Sequence, residues 1–484
     1  MDARSSLIAR RDALIDGLWV EADSGARFPV QDPATGAVLG EVPDMGAAET
    51  RRAIDAAARA FPLWRATPAK ERAKIMRRWF ELILADEERL AQIITAEQGK
   101  PLAEARGEIA YAASYIDWFA EEGRRVYGDV LPISAAGRRQ LVFKQPIGVV
   151  AAITPWNFPS AMFARKVAAA IGAGCTMVLK PAELTPFSAL ALAELALSAG
   201  VPAGVVNVVT ARNPEPVGLE LTQNLLVRKL SFTGSTEVGR ILLRQAAENV
   251  QKCSMELGGN APLIVFADAD LDLAVAGAVA VKYRNCGQTC ISANRLLVEE
   301  SIVDEFAARL AARASGLKVG GGREEGVVLG PLIEEAAVEK CERHIADAVA
   351  RGAKLLTGGA RHERGGMFFQ PTVLAGVGED ALIFHEETFG PIAPIASFHD
   401  EAEALRRANA TPFGLAAYFY SRDVSRIFRV AEALDFGMVG VNETLISSEI
   451  APFGGMKHSG LGREGSRYGI DDYLEIKYVC LGGV

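Results

Sequence analysis

Gly148-Val149-Val150-Ala151-Ala152-Ile153 is an apolar run of strand length, and the segments that follow it decide the fold. Residues 161–173 read as a helix, Thr176-Met177-Val178-Leu179-Lys180 as a second strand, and 186–199 as a second helix. Val205-Val206-Asn207-Val208-Val209 is a third strand. Lys229-Leu230-Ser231-Phe232-Thr233 is a fourth, leading through Gly234-Ser235-Thr236 into a helix that ends near Ala247. Strands alternating with helices of about 10–15 residues predict an α/β fold with a doubly wound parallel sheet.

Upstream of this unit, residues 46–120 are helical in pattern, and 124–145 carry β-formers around Gly137, as a protruding hairpin would. Downstream, a second α/β segment begins near Gly258, with strands expected at 262–266, 295–298, 392–397 and 416–420 and a helix over 303–314. The tail 473–480 alternates and predicts one more strand, open to sharing with a neighbouring subunit.

A chain of 484 residues is too long for one ordinary core, so two or three domains are expected. Hydrophobic residues are 50% and charged residues 23%, which is globular composition. A net charge of −8 argues against a nucleic-acid partner but is compatible with a locally cationic site for an anionic substrate. Six cysteines without a Cys-x-x-Cys pair read as reduced thiols, with Cys175, Cys253, Cys341 and Cys480 as packing residues. The five histidines take no metal-ligand spacing, so no metal is expected. Residues 1–7 show no apolar leader, and the longest uncharged run, 145–164, is broken by Pro155 and Pro159. A cytoplasmic protein with no membrane partner is the expectation.

The chemistry gathers in Asn285-Cys286-Gly287-Gln288-Thr289-Cys290 and, upstream, in Glu256-Leu257-Gly258-Gly259-Asn260. A Cys thiolate attacks carbonyl carbon well, and a carboxylate beside it can deprotonate the thiol, a water, or both in turn. A free Cys is also a common packing residue. Pro155-Trp156-Asn157-Phe158-Pro159 ends a strand, where the Asn157 amide suits an oxyanion or simply a turn. Phe232-Thr233-Gly234-Ser235-Thr236-Glu237-Val238-Gly239 follows a strand and opens a helix, a place that favours phosphate or is a plain connection; lacking Lys-Ser/Thr, it is no Walker loop. Lys180 and Glu183, in Lys180-Pro181-Ala182-Glu183, could bind ribose hydroxyls, with Glu183 repelling a 2′-phosphate, or form a solvated turn. Glu387 and Phe389 could grip a ribose and cover a flat ring, or be ordinary surface and core.

Together with Pro452-Phe453-Gly454-Gly455, these segments resemble the aldehyde dehydrogenase superfamily, in that family's order across nearly the whole chain. The resemblance is greatest to its succinate-semialdehyde branch, with the glutarate-semialdehyde branch a near second. It is carried by Phe163-Ala164-Arg165-Lys166, Lys282-Tyr283-Arg284-Asn285, Ile446-Ser447-Ser448, Lys457-His458-Ser459-Gly460-Leu461-Gly462-Arg463-Glu464 and Tyr468-Gly469-Ile470-Asp471-Asp472-Tyr473.

The resemblance implies a dinucleotide-binding domain (1–123 and 146–257), an α/β catalytic domain (258–445) and a β oligomerisation arm (124–145 and 470–484), self-associating to a dimer or tetramer. It implies that Cys290 attacks an aldehyde while the Asn157 amide and the Cys290 N–H hold the oxyanion. Hydride then passes to the nicotinamide, and Glu256 activates the water that hydrolyses the thioester. Thr154, Trp156, Lys180, Glu183, Gly234, Ser235, Glu387 and Phe389 would bind NAD or NADP, with Glu183 favouring NAD. Arg165, Arg284 and Ser447 would hold the distal carboxylate of a semialdehyde. Ser292 stands where some relatives carry a second Cys, so that redox switch is expected to be absent, and Cys286 is the only thiol near Cys290. A Cys-dependent acyltransferase or esterase would use the same thiol without the nucleotide motifs.

Overall fold

The computed structural model describes residues 7–483; most of the stretch 1–7 read for a leader, and Val484 of the expected arm, lie outside them. Val149–Ile153, Thr176–Lys180, Val206–Val208 and Val227–Thr233 form the expected strands, and a fifth, Lys252–Glu256, joins them. All five run parallel, in the spatial order 252–256, 227–233, 149–153, 176–180, 206–208. The chain therefore winds outward from 149–153 in one direction and then returns to its other side. Strands 149–153 and 227–233 stay paired up to Ile153 and Phe232, and beyond them the chain leaves in opposite directions, the place where open α/β sheets bind ligands. Lys252–Glu256 escapes the sequence reading because Lys252, Ser254 and Glu256 make it look polar; pairing on both sides buries its end.

Helix Pro159–Ala173 is buried along its whole length, so its sequence has no polar face to mark it. Pro159 starts it with a preset φ, and Gly174, at φ 98°, ends it in a left-handed conformation that side chains resist. Helix Leu102–Glu122 packs on it, and helix Ala47–Ala66 covers the strand Thr176–Lys180.

The second sheet has seven strands in the order 354–357, 372–375, 392–398, 293–299, 261–265, 416–420, 438–441, parallel except for the edge strand Lys354–Thr357. Asp129–Leu131, Arg138–Pro146 and Leu474–Gly482 make a separate antiparallel sheet. The C-terminal strand thus pairs along its full length with the chain's own hairpin. Cys480 lies exposed there, contrary to its expected packing role, whereas Cys175 and Cys341 are buried. Residues 446–469, outside the expected domain division, run back to the first sheet, where Gly460 pairs with Glu256. Among the described residues no helix is long and apolar enough to cross a membrane.

Candidate active site

The crevice at the strand reversal opens into a cavity of about 430 Å³ between the two large sheets. Trp156, Asn157, Arg165, Gly234, Ser235, Arg284, Cys290, Glu387, Phe389 and Ser447 all line it. Thr154, Lys180, Glu183 and Glu256 stand outside that lining.

Cys290 owes its place to a sharp reversal after helix Leu271–Tyr283. Asn285 (φ 50°), Cys286 (φ 56°) and Gly287 (φ 74°) are successive left-handed residues, a conformation Asn tolerates and Cys rarely adopts. Only glycine fits at 259, since a Cβ there would sit 2.3 Å from the Cys290 carbonyl oxygen. The Gly-Gly turn after Glu256 is thereby pressed against the backbone that carries the thiol. Across the cavity, Asn157 Nδ2 donates to the Gln288 carbonyl at 3.1 Å, in the same loop as Cys290.

Burial pushes the Cys290 thiol up to about 12; the Glu387 carboxylate and, more weakly, Glu256 push the same way, and Arg165 opposes them. Glu256 is raised well above the usual carboxyl range by burial and then by Glu464, against the pull of Arg165 and Lys166. Neither carboxyl oxygen of Glu256 accepts a hydrogen bond from the protein. Its Oε1 faces Gly454, where a Cβ would come within 2.9 Å.

Glu464 anchors the cationic wall. Lys166 Nζ donates to its Oε1 at 2.6 Å, and Arg165 Nε lies 2.9 Å from its Oε2 as a charge contact without hydrogen-bond alignment. Burial works against the charge on Glu464, but Lys166 and Arg165 prevail and hold it below its ordinary value. Burial likewise opposes Arg165, and Glu464 overcomes it, so Arg165 stays charged. The Arg165 guanidinium lies 3.9 Å from the Phe453 ring centre, and its Nη2 is buried without a partner. Arg284 is half-buried 5.1 Å from the Phe158 ring centre and makes no ion pair among the described residues. The sequence reading missed Glu464 as the counter-ion: it stood inside a quoted motif, but nothing in the sequence says which cation it meets. Tyr111, Met162 and Phe453, also in the wall, look like ordinary core residues until the fold is known.

The other side of the cavity offers groups that could hold part of a dinucleotide. Ser235 caps helix Thr236–Ala247, its Oγ accepting from the Val238 N–H at 3.3 Å, which leaves a helix N-terminus facing the crevice. A Cβ on Gly258 would approach Glu387 Oε2 to 2.8 Å, while Glu387 Oε1 accepts from the Gly259 N–H at 3.0 Å. Phe389 meets Trp156 edge-on, with ring centres 5.6 Å apart. Thr233 Oγ1, in the wall, is buried with no partner. Lys180 is nearly inaccessible, so its motif is no solvated turn, whereas the Glu183 side chain is 40% exposed and only 3.8 Å from Lys180 Nζ. The Thr154 N–H donates to the Lys180 carbonyl at 3.1 Å and ties the ends of two neighbouring strands together.

The model of the aldehyde dehydrogenase family matches residues 19–479. This chain belongs to the aldehyde dehydrogenase family. It is 61% identical over 482 residues, covering 100% of both chains, to the NADP(+) succinate-semialdehyde dehydrogenase of Escherichia coli (strain K12). It is 60% identical over 484 residues, again covering 100% of both, to a glutarate-semialdehyde dehydrogenase of Pseudomonas aeruginosa. The crystal structure of succinate-semialdehyde dehydrogenase from Burkholderia pseudomallei superposes with a TM-score of 0.97 at 63% identity, covering 99% of this chain and 98% of that one. The present aldehyde dehydrogenase is accordingly an NAD(P)-dependent oxidoreductase with the α/β architecture of that family. The expectation that Glu183 favours NAD finds no support, since the E. coli relative is named for NADP(+). The Glu183 carboxylate is 40% exposed and faces Lys180 Nζ only at 3.8 Å, so nothing fixes it in one place.

Proposed function

We propose that this aldehyde dehydrogenase oxidises succinate semialdehyde to succinate with NAD or NADP, glutarate semialdehyde being the next best substrate. One observation carries the reading: Arg165, Arg284 and Ser447 share a single cavity with the Cys290 thiol, and Arg165 keeps an unpartnered N–H group there. Two guanidinium groups facing one aldehyde-sized space suit a substrate with an anionic far end. An extra methylene shifts discrimination by only about 1–3 kcal/mol, so the C5 homologue stays close.

In this reading Cys290 gives its proton to Glu256, which passes it on to solvent, its Sγ bonds to the aldehyde carbon, and the oxygen takes up negative charge beside the Asn157 amide and the Cys290 N–H. NAD or NADP, when bound, would supply the hydride acceptor, and Cys290 Sγ would then hold the acyl carbon as a thioester. Glu256, whose charge Cys290 feels, takes a proton from the water that attacks the thioester, and the carbon–sulfur bond breaks to release the acid. Trp156, Phe389, Glu387, Gly234 and Ser235 would hold the nicotinamide and phosphate parts, with Thr154, Lys180 and Glu183 at the adenosine end. Self-association through the sheet 129–131, 138–146 and 474–482 is part of the same proposal, supported by exposed Val130, Ile476 and Tyr478; so is a reducing, cytoplasmic setting.

The test is a steady-state comparison of succinate semialdehyde, glutarate semialdehyde and an uncharged aldehyde of similar length, each with NAD and with NADP. The highest kcat/KM is expected for the C4 acid aldehyde. Equal efficiency on the uncharged aldehyde would refute the roles of Arg165 and Arg284.

A further inference from the structure

A closed set of buried hydrogen bonds ties the proposed oxyanion donor to the loop that carries the nucleophile. Asn157 Nδ2 donates to the Gln288 carbonyl at 3.1 Å. Asn285 Nδ2 donates to that same carbonyl at 3.2 Å and to the Asn157 carbonyl at 3.1 Å. The Asn157 carbonyl also accepts from Lys100 Nζ at 2.8 Å, and Lys100 is itself paired with Glu108 at 2.7 Å, both side chains fully buried. Glu108 in turn accepts from the Ser160 N–H at 2.9 Å, at the start of the helix that follows Asn157.

An amide nitrogen carries two N–H groups. Spending one of them on Gln288 fixes the plane of the Asn157 amide and leaves the other for the cavity that Asn157 shares with Cys290. Asn285 holds the carbonyl that does the fixing and the backbone from which Asn157 projects. Its left-handed φ of 50° is one that Asn tolerates, so the residue type answers both the turn and the bridge.

We propose that Asn285, backed by Lys100, is a positioning residue that sets the Asn157 amide and the Cys290 loop in one geometry for the developing oxyanion. The proposal rests on Asn157 being the oxyanion donor, and a double-mutant cycle separates the two claims. Removing one oxyanion donor costs about 10²–10³ in kcat, and that loss is expected for Asn157→Ala. Asn285→Gly, which keeps the left-handed turn but loses the bridge, is expected to lower kcat by about 10–100-fold, part of that same loss, with KM little changed. In the Asn157→Ala background the same change should have almost no further effect, because a residue acting through Asn157 has nothing left to position. Asn285→Ser, which keeps one donor, should fall between Asn285→Gly and the parent, and it replaces Asn285→Gly in the cycle should that variant fail to fold. Unchanged kcat in the Asn285 variant, or losses that multiply in the double mutant, would overturn the positioning role. An unimpaired Asn157→Ala would instead remove the oxyanion assignment beneath it.

Discussion

Replacing Arg284 by Leu should turn the enzyme against its acid aldehyde and leave an uncharged aldehyde nearly untouched. Arg284 is the cleaner of the two arginines to remove. Arg165 neutralises buried Glu464, and taking away one partner of a buried pair costs about 3–5 kcal/mol of stability. Arg284 makes no ion pair among the described residues; its charge favours the Glu104 carboxylate less than that of Lys100 does, and its contact is with the Phe158 ring, 5.1 Å from centre to guanidinium carbon. A contact of that kind at a half-exposed site contributes about 0.5–1 kcal/mol, small enough for the fold to survive. A hydrogen bond to a charged group contributes about 1.5–3 kcal/mol. At 25 °C that corresponds to a loss of about 10- to 150-fold in kcat/KM for succinate semialdehyde. Most of it should appear in KM, since the carboxylate is held equally before and during the reaction. The assay follows reduced nicotinamide by absorbance with both aldehydes. An equal loss on the two would mean that Arg284 supports the loop or the thiol and does not read the carboxylate.

Glu256→Gln should slow both the burst of reduced cofactor and the steady turnover, each by about 10²–10⁴-fold; steady turnover at the parent rate would exclude Glu256 as the base. Burial lifts Glu387 from its ordinary 4.5 to about 7, so the folded chain holds a proton that the unfolded chain has already lost. Its contribution to stability therefore falls as pH rises from about 4.5 to about 7 and levels off above, and in Glu387→Gln the denaturant midpoint should lose that part of its pH dependence. An unaltered slope would contradict the burial of that proton. Lys100→Met leaves the buried Glu108 carboxylate without its cation and should lower the unfolding free energy by about 3–5 kcal/mol in a denaturant titration; a change under about 1 kcal/mol would show that Glu108 is easily neutralised.

Strands 149–153, 176–180 and 206–208 were legible because burial on both faces makes them nearly continuous apolar runs with a glycine shortly before each. Lys252–Glu256 and Met438–Val441 were not, the first because it carries Lys, Ser and Glu, the second because it is only four residues long. Cys290, Asn157 and the nucleotide motifs could be read from spacing and family resemblance, since each sits in a turn whose residues the backbone dictates. The network behind them could not. Glu464 lies far along the chain from Arg165, and Lys100 far from Asn157, so only the return of residues 446–469 and the packing of the helical layer bring those charges together. The orientation of Glu256 toward Gly454, away from the cavity lining, was equally invisible, because it depends on a glycine contributed by that returning segment.

The protonation states of the resting site link its two half-reactions. Burial pushes the Cys290 thiol up to about 12 and, together with Glu464, lifts the Glu256 carboxyl well above its ordinary range, so each holds its proton to higher pH than a free group does. A protonated Glu256 can accept a proton neither from Cys290 nor from water. Both acylation and deacylation therefore wait on the same event, the loss of the Glu256 proton, and both should rise with pH together. Because the Glu464 charge raises Glu256, the midpoint depends on both groups, and replacing Glu464 by Gln should move it downward by removing the like charge. Rapid-mixing measurements of the burst and of the steady rate across pH give the two profiles separately. Superimposable profiles that shift together in Glu464→Gln are expected; a burst that stays constant while the steady rate climbs would assign the thiol proton to another acceptor.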